Sequence, residues 1–340
     1  MKEKLVLIGA ILTIILFVTG CTTGDGQTGF GFGSKSSDRF DDDTPFTAQA
    51  HQGDDGLALQ FAKNNPPTKI YYTSAGTPFN VIVELRNRGA HQIDDAYLYL
   101  TGYDKNIIQD TRITPGGSLP VTFDLEPVTN FNPEGGYETV EVENTILNWP
   151  EGTDSYKPTI RASVCYRYET VANPVICIDP HPFSSLSEDK PCRVRNSYDY
   201  SGQGAPVAIT GVEQEGTEDL LHLKIQVQNM QVRGVVYDED KYNPDRGPDS
   251  SSCPFNLQYK DINKVDYDDP DFSGSGTKPQ LIECKPDSPI RLVDNKATIF
   301  CKFSMPETDE IYQSPVNIRL HYGYLNYEEM SVDIMNVASE

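Results

Sequence analysis

Phe79-Asn80-Val81-Ile82-Val83-Glu84-Leu85-Arg86-Asn87 is the stretch that decides the fold. Phe79, Val81, Val83 and Leu85 point one way, while Asn80, Glu84 and Arg86 point the other. Successive side chains of a strand face opposite sides of the sheet, so this is a half-buried antiparallel strand. Arg88-Gly89-Ala90 makes the turn that follows. Ala96 to Gly102 alternates again, with Leu98 and Leu100 opposite Tyr97 and Tyr99. Farther on, Ile160, Ala162, Val164, Tyr166 and Tyr168 share one face, and Arg161, Ser163, Cys165 and Arg167 share the other. No stretch beyond the N-terminal apolar run holds a 3.6-residue apolar period. Short strands separated by Gly, Pro and Asn predict an all-β chain built as β-sandwich.

The pattern occurs twice. Leu223-Lys224-Ile225-Gln226-Val227-Gln228-Asn229 aligns with Val81 to Asn87, and each copy ends on Asn with a Gly soon after. Ile160-Arg161 leads to Tyr166 as Ile318-Arg319 leads to Tyr324. At about 150 residues per domain, the chain divides into two tandem units. The expected boundaries are a signal at 1–20, a flexible tether at 21–48, domains at 49–185 and 205–340, and a linker at 186–204. A strand of the form apolar-x-apolar-x-apolar-x-Asn followed by Gly resembles the Ig-like adhesion modules of prokaryotic cell surfaces called CARDB. The resemblance implies two Ig-like antiparallel sandwiches. Trp149, the single Trp, precedes a Pro, so the buried Trp of antibody domains has no equivalent here.

The N-terminus assigns the compartment. Lys2 and Lys4, the apolar run Leu5 to Phe17, and Val18-Thr19-Gly20-Cys21 follow in the order of a secretory signal. Small residues ending in Cys21 resemble the lipobox of prokaryotic lipoproteins. That resemblance implies cleavage before Cys21, a lipid on its thiol, and membrane attachment at the cell surface. The other reading is an uncleaved anchor, for which the run is short, since a spanning helix needs roughly 20 apolar residues. Thr22 to Ala48 is rich in Gly, Ser and Asp, with Phe30 and Phe32 inside it, and reads as a tether.

Lys plus Arg number 28 against 50 Asp plus Glu, a net charge of −22. That field repels nucleic acid, which is excluded as a partner, and favours solubility, cations and basic proteins. Besides Cys21 there are six cysteines, Cys165, Cys177, Cys192, Cys253, Cys284 and Cys301, an even set that outside the cytoplasm implies disulfides. Folding a hairpin about Val171 sets Cys165 opposite Cys177, with Val164 across from Ile178. Buried positions on apolar faces suit Cys284 with Cys301, which leaves Cys192 for Cys253. A zinc motif needs close CxxC or Cys and His spacing, and none occurs.

The five histidines, His51, His91, His181, His222 and His321, are scattered, and no HExxH, GxSxG or phosphate loop is present. The chain therefore reads as no enzyme and without a cofactor, apart from a weak calcium site at Asp269, Asp271 and Ser273. Asp269-Pro270-Asp271-Phe272-Ser273-Gly274 follows the start of a calcium loop, with Asp266 and Asp268 beside it, but Gln280 stands where the bidentate Glu belongs. The loop Asp238-Glu239-Asp240 with Asp245 and Asp249 reads as solvated. Tyr97, Tyr99 and Tyr103 could stack on sugar rings, though alternating tyrosines are ordinary in strands. The expectation is a lipid-anchored surface protein acting by contact with another surface protein or polymer. The alternative is a lipoprotein that binds glycan or a divalent cation.

Overall fold

The computed structural model describes residues 55–337, except 183–189, 196, 200–201, 232, 243–251 and 275. The signal, Cys21, the tether, Asp245 and Asp249 lie outside the described residues. What is described is all-β, as the period-two pattern requires. The first half holds β1 (Leu57–Phe61), β2 (Lys69–Tyr72), β3 (Thr77–Asn87), β4 (Ile93–Thr101), β5 (Ile108–Thr114), β6 (Val121–Leu125), β7 (Tyr137–Ile146), β8 (Ser155–Tyr156), β9 (Thr159–Ala172) and β10 (Val175–Ile178). The second holds β11 (Ser197–Asp199), β12 (Val207–Gly216), β13 (Leu220–Asn229), β14 (Val235–Tyr237), β15 (Lys264–Tyr267), β16 (Asp271–Phe272), β17 (Gln280–Lys285), β18 (Ile290–Arg291), β19 (Lys296–Ser304), β20 (Tyr312–Ser331) and β21 (Asp333–Asn336).

The two copies build matching outer sheets, β1-β3-β7-β5 and β11-β12-β13-β19-β17. Val81, Val83 and Leu85 on β3 are buried, as are Leu223, Ile225 and Val227 on β13. Both rows join one core with Val164, Tyr166, Tyr168, Tyr322 and Tyr324 of the central sheet. Burying each large apolar side chain is worth about 1.5–3 kcal/mol.

The central sheet runs through both copies, in the order β18-β15-β20-β9-β4-β6. β9 pairs antiparallel with β20, Thr159 opposite Ser331 and Ala172 opposite Ile318, and Val175 to Ile178 of β10 continue the same register against Pro315 to Tyr312. The strand beside the last strand of each half is thus supplied by the other half. β21 adds a second link by pairing parallel with β2. Residues 44–340 accordingly form one compact unit.

The hairpin about Val171 does not form. Asn173-Pro174 interrupts the strand without turning it, and the Pro174 carbonyl still accepts the Val316 N–H at 2.9 Å. Cys165 and Cys177 therefore lie about 40 Å apart along an extended ribbon, at ~3.3 Å per residue, and cannot meet. Cys165 bonds Cys253 and Cys177 bonds Cys192, which also replaces the expected pairing of Cys192 with Cys253. Cys284 bonds Cys301 across paired positions of β17 and β19, with Cα atoms 4.1 Å apart, the pairing expected, although Ile282 is exposed and shares no buried face with Cys284.

The correspondence of the last strands also shifts by one pleat. Leu57 pairs with Asn87 as Val207 pairs with Asn229. The Leu57 N–H donates to the Tyr166 hydroxyl, and the Val207 N–H donates to that of Tyr322. The Leu57 carbonyl accepts from Asn326, and the Val207 carbonyl accepts from Thr170. Tyr166 therefore answers to Tyr322, and not to Tyr324.

Candidate functional site

The Asn-then-Gly signature at the end of β3 closes a tight turn. The Asn87 side chain donates to the His91 carbonyl at 2.8 Å and accepts the Gly89 N–H at 3.0 Å. A Cβ on Gly89 would lie 1.8 Å from the Tyr168 hydroxyl, so only glycine fits beneath that ring. The second copy repeats this, with Asn229 accepting from the Tyr324 hydroxyl at 3.2 Å and Gly234 lying against the Tyr324 ring. The turn delivers His91 to the outer side of the central sheet, where its ring stands edge-on to Tyr168 and its backbone N–H donates to the Tyr168 hydroxyl at 3.2 Å.

There His91 meets residues of both halves in a cleft of about 190 Å³, lined also by Asp94, Arg167, Glu169, Glu239 and His321. His91 Nδ1 lies 3.6 Å from Glu169 Oε2, and Arg319 donates to Glu169 Oε1 at 3.1 Å. Glu169 is the cross-strand partner of His321. His321 Nε2 lies 3.2 Å from Asp268 Oδ2. Burial lowers the His91 pKa against the pull of Glu169, and burial raises that of Glu239. Asp266 nearby is also raised, by burial and then by Asp238 and Asp240. Histidines far apart in sequence are thus neighbours, because β20 pairs with β9. No motif spacing announces such a meeting.

In the candidate calcium loop, Asp271 and Ser273 have protein partners. Lys278 donates to both carboxylate oxygens of Asp271 at 2.8 Å, and Asn317 donates to the Ser273 hydroxyl at 3.0 Å. Asp266 accepts from Ser288, and Asp268 faces His321. Among the described residues no three His, Cys, Asp or Glu side chains already converge as a metal cage. In the loop of Asp238, that residue accepts from Lys264 at 3.0 Å and caps a short 3-10 turn, Glu239–Lys241.

Tyr97 and Tyr99 do not form an exposed stacking platform. With Cys165, Tyr237, Tyr242 and Cys253 they make a second buried cluster on the outer side of the central sheet. Tyr242 packs on Tyr97 with ring centroids 5.3 Å apart and Phe255 on Tyr99 at 5.4 Å, and the Cys165–Cys253 bridge fastens this cover. The Tyr103 hydroxyl donates to Asp110 at 2.5 Å. Tyr237 lies over Gly323, whose Cβ would come within 2.1 Å of that ring.

A broader, shallower groove of about 820 Å³ lies on the five-stranded sheet, among Glu213, His222, Lys224, Glu283, Phe300 and Lys302. Phe300 and the nearby Ile282 are more than half exposed, at 55% and 51%. His222 stands there beside ion-paired Lys224 and Glu213.

No family model and no curated protein matches the chain. Among solved structures, the secreted serine protease VesC from Vibrio cholerae is similar at 9% identity, over 81% of this chain and 51% of its own, with a TM-score of 0.16. The chain spans about half the length of that structure, and a likeness at this level carries no conclusion about fold or activity.

Proposed function

We propose that the chain is a surface protein held on the outer side of the membrane by a lipid on Cys21, where it acts as a structural or adhesive element through protein contacts. The observation that carries this reading is the set of three disulfides, all six sulfurs belonging to residues at most 8% exposed, in an all-β unit behind a signal-like N-terminus. Disulfides of this kind persist in oxidising compartments outside the cytoplasm. Pairing of β9 with β20 makes the two halves a single slab, which suits a part that bears load and presents a fixed face. The exposed Phe300 and Ile282 mark the face for contact.

Two measurements test it. Cys21→Ser should move the protein from the detergent phase to the aqueous phase, and wild-type protein with no lipid mass would overturn the anchor. Crosslinking on intact cells should trap a protein adduct that Phe300→Asp with Ile282→Asp abolishes. Absence of any adduct would overturn the contact role.

A further inference from the structure

We propose that the open edge of β1 pairs antiparallel with β1 of a second copy of this chain, joining two outer sheets across a two-fold axis at Gln60. The internal repeat marks this edge as uncovered. β1 and β12 are twins, since Leu57 pairs with Asn87 as Val207 pairs with Asn229. β12 lies between β13 and β11, with Tyr198 opposite Val212, whereas β1 is laddered to β3 alone among the described strands. Burial records the difference. Ala208, Ile209 and Val212 are buried, and the residues at the same places of β1, Ala58, Leu59 and Phe61, are half-buried. Leu59 and Phe61 rest against the core with part of each side chain uncovered.

The edge also presents main-chain groups. The Ile209 N–H donates to the Gln203 side chain at 2.7 Å and the Ile209 carbonyl accepts from it at 3.1 Å, so the main chain at this residue faces away from β13. Leu59 is its twin and faces outward likewise, as does Phe61 two residues on. At Leu57 the outward groups are taken by Tyr166 and Asn326, so pairing falls on Leu59 and Phe61. The first half does not repeat the residues that build the β11 hairpin. Gly202 and Gly204, at φ 75° and 61°, correspond to Gln52 and Asp54, and the clamp Gln203 corresponds to Gly53. That difference favours a strand from another chain over one from the residues ahead of Leu57.

Charge selects which chain. At a net charge of −22, two copies repel one another wherever acidic faces meet. β1 reads Leu-Ala-Leu-Gln-Phe, with no charge and an unbroken register. The other described edge strands of comparable length, β5, β6 and β17, carry charged residues, and β5 and β17 also carry register shifts, both of which resist strand addition. Two-fold pairing about Gln60 sets Leu59 of one copy opposite Phe61 of the other, twice, so that each covers the open side of its neighbour. The proposal depends neither on the lipid nor on the Phe300 face.

Sedimentation velocity of residues 22–340, which keep the compact unit whole, tests this over a concentration series. Edge pairing buries little area, so the wild type should dimerise weakly and reversibly, at concentrations below about 1 mM. Gln60 is exposed, and Gln60→Lys or Gln60→Glu places like charges across the axis. Each should weaken dimerisation about tenfold or more, and an equal mixture of the two should restore it. Phe300→Asp with Ile282→Asp should leave the dimer unaltered. Hydrogen exchange at Leu59 and Phe61 should slow with concentration in step with dimerisation. Melting checks that each variant remains folded, and either one against the wild type suffices if the other does not. A wild type still monomeric at about 1 mM would overturn the proposal. So would a dimer that the Gln60 variants leave unchanged. Exchange at Leu59 and Phe61 already slow in the monomer would overturn it too, by placing residues ahead of Leu57 on the edge.

Discussion

Arg167 and Gly323 face each other across β9 and β20, and the buried tyrosines stand about that pair as if by a two-fold axis. Tyr166 pairs with Tyr324 and Tyr168 with Tyr322. By hydrogen bonding, Tyr166 is equivalent to Tyr322, since each hydroxyl accepts the N–H of the residue that opens the strand paired with β3 or with β13, Leu57 of β1 and Val207 of β12. The halves are related like the subunits of a symmetric dimer, with their last strands forming the interface inside one chain.

Gly323→Ala should destabilise the whole unit. The added Cβ meets the Tyr237 ring at 2.1–2.5 Å, and Tyr237 is fully buried beneath its cover. Overpacking of this kind costs about 1–3 kcal/mol or more, read as a shift in the urea midpoint. An unchanged midpoint would mean that the ring moves freely aside.

Val83→Asp and Ile225→Asp lie in different halves, yet each should unfold residues 49–340 in a single transition. A lone buried carboxylate costs several kcal/mol against a total of about 5–15. Glu84→Lys and Gln226→Lys, on the outer faces of the same strands, should each change stability by no more than about 0.5 kcal/mol. Fragment 49–195 alone should fail to melt cooperatively, because β9 keeps β4 but loses β20 on its other side, and β10 loses its partner strand. Two separate transitions in the intact chain would contradict the shared sheet.

Thiol counting in denaturant without reductant should find no free thiol beyond Cys21, and peptide mapping should link Cys165 to Cys253. Reducing that bridge alone should uncover Tyr97 and Tyr99, seen as faster iodination of both rings. Removing a native disulfide typically costs about 2–5 kcal/mol.

Acidification should weaken the fold through His91. Burial holds its folded-state pKa below the unfolded value of 6.5, so the unfolded chain binds more protons in between, and stability falls as pH drops below 6.5. Glu239 has the opposite sign: burial raises its pKa above 4.5, so its cost appears as pH rises through that range. His91→Gln should flatten the loss of stability below pH 6.5, and Glu239→Gln should stabilise at pH 7. Urea midpoints measured from pH 4.5 to 8 check both.

The sequence by itself determined the strands, their buried faces and the doubling, because period-two alternation is a local property. Val83 and Ile225 are inside for reasons visible in nine-residue windows. It also implied the Cys284–Cys301 bridge, whose two cysteines are both buried. Tertiary structure alone decided what crosses between the halves. Whether Asn173-Pro174 turns or continues depends on β20, which lies far along the chain and offers an unbroken register to pair with. That choice separated Cys165 from Cys177, sent Cys165 to Cys253, covered Tyr97 and Tyr99, and brought His91 to His321. Long-range pairing is a matter of which edges are free to meet, and no local residue pattern encodes it.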